Sequence, residues 1–391
     1  MLSESFSPWP SFNDDEADAV RDVLLSNKVN YWTGQEGRKF EQEFAQYTGT
    51  EYAIALANGT VALDLAFKAL GIGAGDEVIV TSRTFLASVS SIVNAGATPV
   101  FADVDRDSQN ITSDTIAAVL SVDTKAIVCV HLAGWPCDMD AIMALAVQHD
   151  IAVIEDCAQA HGARYKGCAV GSIGHIGCWS FCQDKIMTTG GEGGMVTTND
   201  RKLWSAMWSF KDHGKSWEAV YERKHPPGYR WLHDSFGTNW RMTEMQAAIG
   251  RIQLKRLPEW STTRLNYAEQ IWDAARGCQV LRASELTCFN CNGCDQSNGC
   301  VHAAYKCYVF VKNGKRDKYM EQINAKGVPC FSGSCSEVYL EKAFDNTGFR
   351  PEARLPVAKE LGETSLMFLC HPTLTQKEIT LTCRVIKEVC V

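Results

Sequence analysis

The sequence predicts an α/β protein with a largely parallel sheet covered on both faces. Two observations carry this. Between about residues 50 and 200, short continuous apolar runs rich in Val and Ile alternate with segments of helical periodicity. The apolar runs do not alternate with polar residues, as a half-solvated strand would, so both faces of the sheet must be buried.

Taken in order, the runs EVIV (77–80), TPVFADV (98–104), AIVCVHL (126–132) and IAVIEDC (151–157) read as strands. Between them, GTVALDLAFKALGI and MDAIMALAVQHD place apolar residues at helical spacing. From about 243 to 275 the pattern is helical over a long stretch, and Pro258 predicts a break or kink in it. That stretch is the expected hinge between a large domain, residues 1–250, and a smaller one, 251–391. Beyond it, YKCYVFV and GVPCFS read as strands among helices. Residues 284–303 are polar and rich in Cys, Asn and Gly, which predicts a surface loop.

A chain of 391 residues, 46% of them hydrophobic, exceeds the usual size of one compact domain. With a formal net charge of -8 it has no basic field for a nucleic-acid backbone. The opening MLSESFSPWPSFNDDEADAV has neither a basic nor an apolar leader pattern, and no later run approaches a membrane span. A cytoplasmic protein with no membrane partner is the expectation. Seventeen scattered cysteines then predict mostly reduced, buried thiols. The set Cys288, Cys291, Cys294 and Cys300 has metal-like spacing, and supports an alternative of another class, a metal-binding or redox-sensing module.

Four residue groups together match what a pyridoxal phosphate would need. Ala57-Asn58-Gly59-Thr60 runs into a helix, where backbone N–H groups can meet a phosphate; an ordinary N-cap with Thr60 as the cap reads equally well. Asp156 ends an apolar strand, where open α/β sheets put ligand-binding residues, and could hold a pyridine nitrogen protonated; it could also cap the next turn. Lys185 stands after Ser180 and just before the cluster Gly190-Gly191-Glu192-Gly193-Gly194, which suits a lysine nucleophile more than a solvated charge. Phe85, after EVIV, could stack on an aromatic ring or pack in the core.

These residues resemble the DegT/DnrJ/EryC1/StrS sugar aminotransferases, which are fold-type I pyridoxal-phosphate enzymes. The resemblance covers most of the chain, from Asn30-Tyr31-Trp32-Thr33-Gly34 to Ser365-Leu366-Met367. Its most specific pieces are Val130 to Gly134, Ile154 to Gly162, Ser180 to Gly194, and Gly237 to Met242. It implies an aspartate-aminotransferase-like fold, with a mostly parallel seven-stranded sheet in the large domain and a smaller C-terminal α/β domain. It also implies that Lys185 carries the cofactor as a Schiff base, that Asp156 pairs with the ring nitrogen, and that Gln159 lies near the ring hydroxyl. Gly59, Thr60 and Ser180 would bind the phosphate, and Asn239 would reach the cofactor of a neighbouring subunit, making a homodimer obligatory. No metal is expected in catalysis. The usual Asn-Ser-Gly-Thr of the family stands here as Ala57-Asn58-Gly59-Thr60.

The expected reaction is transfer of an amino group from glutamate, leaving 2-oxoglutarate, to a sugar carbonyl in surface polysaccharide or lipopolysaccharide biosynthesis. Lys306 stands where related sequences often have histidine, and a cation there could read a substrate carboxylate, a phosphate, or nothing but solvent. With the general resemblance it points to the C8 aldehyde of 3-deoxy-manno-octulosonate, the alternative being a nucleotide-linked keto-hexose. Trp32 and Tyr31 line either a substrate pocket or an interface. His131 and His213 read as structural histidines.

Overall fold

The computed structural model describes residues 6–289 and 299–391. Seven strands form the main sheet: β1 (Tyr52–Leu56), β2 (Glu77–Thr81), β3 (Thr98–Ala102), β4 (Thr124–Val130), β5 (Ala152–Asp156), β6 (Ile176–Ser180) and β7 (Gly194–Thr198). Their order is β1-β7-β6-β5-β4-β2-β3. Of the seven, β7 alone opposes its neighbours, pairing antiparallel with β1 and β6, and the run from β6 to β3 is parallel.

The helices named here are α1 (Asp14–Leu25), α2 (Glu36–Thr48), α3 (Gly59–Leu70), α4 (Ala87–Asn94), α5 (Met139–His149), α6 (Arg201–Phe210), α7 (Glu244–Arg276) and α8 (Gln376–Val389). Successive strand residues point to opposite faces, and both faces are covered. Val78, Val80, Val128 and Val130 share a core with Phe67 of α3, Ile92 of α4 and Met207 of α6. Ile79, Ile127, Cys129 and Val153 face the other way, onto Met139, Ile142 and Ala146 of α5. This is the physical content of the continuous apolar runs: neither face reaches water.

A second, antiparallel sheet is made of β8 (Leu281–Ala283), β9 (Cys307–Val311), β10 (Cys330–Phe331) and β11 (Ser365–Phe368), in the order β8-β9-β11-β10. Val309, Leu366 and Phe368 pack there with Ile271 and Trp272 of α7 and Ile379 and Val385 of α8. Helix α7 therefore serves two cores, because its earlier Leu254 and Leu257 pack with Phe40, Phe44, Trp179 and Phe181. The boundary expected at 250/251 falls inside this helix.

Of the break or kink expected at Pro258, the break does not occur: the helix runs continuously from Glu244 to Arg276 with Pro258 inside it. The proline forfeits one backbone hydrogen bond, while the helix on both sides of it is held by buried apolar residues. Among the described residues no helix is long and apolar enough to cross a membrane.

Replacing Pro258 by Ala restores the missing donor to a helix whose path is set by packing. The expected outcome is a gain of about 1–3 kcal/mol in a urea unfolding titration; a loss would mean that the packing depends on the proline's geometry.

Candidate active site

Asp156 is the last residue of β5 and is almost fully buried. Its Oδ2 accepts from the Ser88 hydroxyl at 2.8 Å and its Oδ1 from the Ala158 N–H at 3.1 Å. The Ser88 hydroxyl lies 2.8 Å from that of Thr84, so the loop after β2 helps to orient the carboxylate. Each oxygen of Asp156 keeps a lone pair for a further donor. Gln159, three residues on, accepts the Ala133 N–H at 2.9 Å through Oε1. That contact fixes the amide's orientation and leaves its NH₂ as the free end.

The N-terminus of α3 lies against the end of β6. Asn58 is the N-cap, its side chain accepting the Val61 N–H at 3.0 Å, so the cap is Asn58 and not Thr60. The N–H groups of Gly59 and Thr60, at the first helical positions, have no acceptor within the helix. Gly59 is needed here for close approach: a Cβ on it would fall 2.5 Å from the Ser180 Cβ. Gly194, paired with Ser180 across β6 and β7, presses on the same spot, where a Cβ would fall 2.2 Å from the Asn58 carbonyl oxygen. Thr60 is exposed and Ser180 is buried.

Lys185 follows β6 by five residues. Its Nζ has Asp184 Oδ1 at 3.6 Å, and it lies 5.4 Å from the centroid of the Tyr305 ring. The Tyr305 hydroxyl donates to the other oxygen of Asp184. Burial pushes the Asp184 carboxyl up, but the charge of Lys185 and the Tyr305 hydrogen bond outweigh this and hold it below its ordinary value. Burial together with the Asp184 charge raises the Tyr305 phenol. Lys306 lies over the same ring, its Nζ 4.7 Å from the centroid. From the other side, Trp9 donates through Nε1 to the Lys185 carbonyl at 2.8 Å.

Beside Asp156 on β5, Glu155 is fully buried and points the other way. It accepts from Gly171 at 2.7 Å, Ile173 at 2.8 Å and Gly174 at 2.6 Å, all backbone N–H groups. Its fourth partner is His131, whose Nε2 lies 2.9 Å away. His131 Nδ1 accepts the Cys137 N–H at 3.0 Å, so Nε2 carries the proton and donates it to Glu155. Burial would raise the Glu155 carboxyl; the His131 and backbone hydrogen bonds bring it below its ordinary value instead. His131, Glu155 and Cys157 are close enough together to hold a metal ion, but both imidazole nitrogens are already committed to protein partners.

Asp156, Gln159 and Ser180 thus gather at the C-terminal ends of β5 and β6 with Gly59 and Thr60, and Lys306 stands with Lys185. Phe85 lies on the loop leading to Ser88 and is 70% exposed in the single chain. Trp32 is grouped elsewhere: it packs on Trp208 at 6.0 Å, with Lys215 Nζ 4.1 Å from its ring. Tyr31 donates to Glu41 and lies under Lys211. Asn239 is exposed, its backbone bridged to Asp212. His213, also exposed, has a left-handed backbone. Cys288 and Cys300 lie with sulfurs 2.9 Å apart, and Cys291 and Cys294 fall outside the described residues. Sequence reading missed Ser88, Glu155, Tyr305, Asp184 and Trp9 as parts of this region. Glu155 and Asp184 sit inside matched motifs, whereas Trp9 and Tyr305 reach the site only through tertiary packing.

The family model described as the DegT/DnrJ/EryC1/StrS aminotransferase family matches residues 10–389. The chain is 35% identical over 375 residues to a UDP-N-acetyl-3-dehydro-alpha-D-glucosamine 3-aminotransferase of Acidithiobacillus ferrooxidans, covering 94% of each chain. It is 42% identical over 264 residues to a GDP-perosamine synthase of Escherichia coli, which spans 66% of this chain and 68% of that one. The X-ray structure of an aminotransferase from Psychrobacter cryohalolentis is 66% identical and superposes with a TM-score of 0.93, over 98% of both chains.

Burial sets a pH dependence. His161, His302 and His371 are each lowered to about 3, in every case chiefly by burial. Unfolded, each would take up a proton near pH 6.5, so the unfolded state binds more protons between there and about 3. Stability therefore falls as pH drops below 6.5, by up to about 1.4 kcal/mol per pH unit for each histidine. The depressed carboxylates add to this loss only below their own ordinary range. The expected outcome, from urea titrations between pH 7 and 5, is a slope that flattens by about one third in His161→Leu, since it is one of three such groups. An unchanged slope would mean that His161 is not held neutral.

Proposed function

Because the chain belongs to the DegT/DnrJ/EryC1/StrS aminotransferase family, we propose that it transfers an amino group from glutamate to the keto carbon of a nucleotide-linked hexose, with Lys185 and Asp156 as its catalytic residues. The observation that carries this reading is the convergence of Asp156, Ser180 and the N-terminus of α3 at the ends of adjoining strands, with Lys185 on the segment leaving β6.

Pyridoxal phosphate is the cofactor of the family, and the residues present fit it. The space between Ser180 and α3 is one that a Cβ on Gly59 would fill, so the free N–H groups of Gly59 and Thr60 and the Ser180 hydroxyl are the groups to hold the phosphate. Asp156 keeps acceptor capacity for the ring N–H, and Gln159 has its NH₂ to offer the ring oxygen. Phe85 is the residue to stack on the ring face. When bound, the cofactor supplies a carbonyl that exchanges amines and a ring that withdraws electrons from the carbon losing its proton.

The chain's own residues do the rest. Ser88 and the Ala158 N–H hold Asp156 in place, so that its negative charge can keep the ring nitrogen protonated. Among the described residues Lys185 Nζ is held by nothing closer than Asp184 at 3.6 Å, longer than a hydrogen bond. Such an amine can swing, taking a proton from the donor carbon and returning it at a neighbouring atom. Tyr305 and Asp184 limit that swing, and Trp9 anchors the backbone from which it starts.

The choice of substrate rests on the relatives named above, whose names specify nucleotide-linked sugars. The octulosonate aldehyde expected from Lys306 appears in neither name. Asn239, Phe85 and the aromatics Tyr229, Trp231 and Phe236 are exposed in the single chain. They support a homodimer in which Asn239 completes a neighbouring site, and Trp32 then serves that shared surface.

Lys185→Ala is expected to abolish turnover, by at least about a thousandfold, while leaving the unfolding midpoint close to that of the parent. Formation of 2-oxoglutarate from glutamate, followed alongside the cofactor absorbance, measures it. Full activity in the variant would remove Lys185 from catalysis.

A further inference from the structure

Beside Lys185 the chain gathers positive charge that its own acids do not neutralise. Lys306 Nζ lies against the ring of Tyr305, as Lys185 Nζ does, at 4.7 and 5.4 Å from the centroid. The carboxylate in that corner, Asp184, is already committed to Lys185 and to the Tyr305 hydroxyl. Lys306 has no ion-pair partner among the described residues.

Arg264 of α7 is near enough for its charge to act on Lys306 and Tyr305, and it is only 2% exposed. Its Nε and Nη2 find no hydrogen-bond partner among the described residues. Its guanidinium carbon packs 4.8 Å from the centroid of Trp9, the residue that donates to the Lys185 carbonyl. Trp9 also stacks on His371, centroids 6.0 Å apart. Burial lowers Lys306, and lowers Arg264 to about 10. A buried guanidinium with free N–H groups is unfavourable unless an anion or another acceptor meets it.

We propose that Lys306 and Arg264 form a carboxylate-binding site beside Lys185, and that its ligand is the α-carboxylate of the amino donor. The inference rests on the aminotransferase reading and says which substrate group the region takes. Chemistry decides between donor and acceptor. In an α-amino acid the carboxylate is one bond from the carbon that loses its amine, so a cation reading it must stand close to the lysine that moves the proton. A nucleotide-linked keto-hexose carries its charge on a diphosphate several bonds from the reacting carbon, and an octulosonate aldehyde has its carboxylate at the opposite end of the sugar. Neither puts an anion next to Lys185.

The test uses holoenzyme carrying Lys306→Met or Arg264→Met. Calorimetric titration with 2-oxoglutarate should show a dissociation constant raised about tenfold or more in each variant, as loss of a charged hydrogen bond requires. The KM for glutamate should rise in step, and the KM for the sugar acceptor should stay within about twofold. Removing an unpaired buried cation should not lower the unfolding midpoint; if Arg264→Met nevertheless misfolds, Lys306→Met, nearer the surface, carries the same test. Unchanged 2-oxoglutarate binding in a folded variant overturns the proposal, and so does a rise confined to the acceptor KM, which would give the site to an acidic sugar. Calorimetry reads binding in a chain that does not turn over, so failure of the transaminase reading and failure of this site are distinguishable.

Discussion

The Glu155 carboxylate is the contact on which the geometry of the site depends. It is buried without exposure on β5, and it is met by an imidazole from the end of β4 and by three backbone N–H groups from the turn that precedes β6. A buried carboxylate with its acceptors filled is tolerable, whereas the same group with a partner removed is strongly destabilising. The turn at 171–174 is thereby fastened to β5. β6 starts two residues later, and its far end delivers Ser180 and then Lys185. The carboxylate thus reinforces, at its start, the parallel pairing that holds the strand presenting Asp156 beside the strand that leads to the lysine.

Close backbone approach does the equivalent work at the phosphate end. Gly59 and Gly194 have no room for a Cβ, and their absence of side chains lets α3 begin directly against β6 and β7. The helix then points its unfilled N–H groups at the ends of the strands, where the partial positive charge of its dipole is greatest. The antiparallel strand β7 matters for the same reason: by turning back after the Gly190–Gly194 cluster, it brings Gly194 opposite Ser180. Asp156, Ser180 and the helix start are brought together by the sheet, and Lys185 hangs on a segment anchored from outside by Trp9.

The parallel strands were legible because burial on both faces leaves an unmistakable signature, a run of Val and Ile with no polar alternation. Asp156 was legible as a strand-end acid and Lys185 as a lysine before a glycine cluster. Strands β1, β6 and β7 were not singled out, since IGCWS and GMVTT mix small and polar residues whose burial comes from close packing. Pro258 does not end α7 because propensity is local, while α7 is held by two separate cores. Arg264, Trp9 and Tyr305 meet from positions far apart in the chain, and no spacing rule brings them together. Trp32 shows the converse: a motif neighbour that the single chain places among Trp208, Arg38 and Lys215 instead of beside Lys185.

The most direct measurement is to reduce the holoprotein with borohydride, digest it and locate the phosphopyridoxyl group by peptide mass spectrometry. One modified peptide is expected, with the group on Lys185, and loss of that signal in Lys185→Ala. A group fixed to another lysine, or a holoprotein that yields none, would contradict the assignment of Lys185 and with it the site built around Asp156.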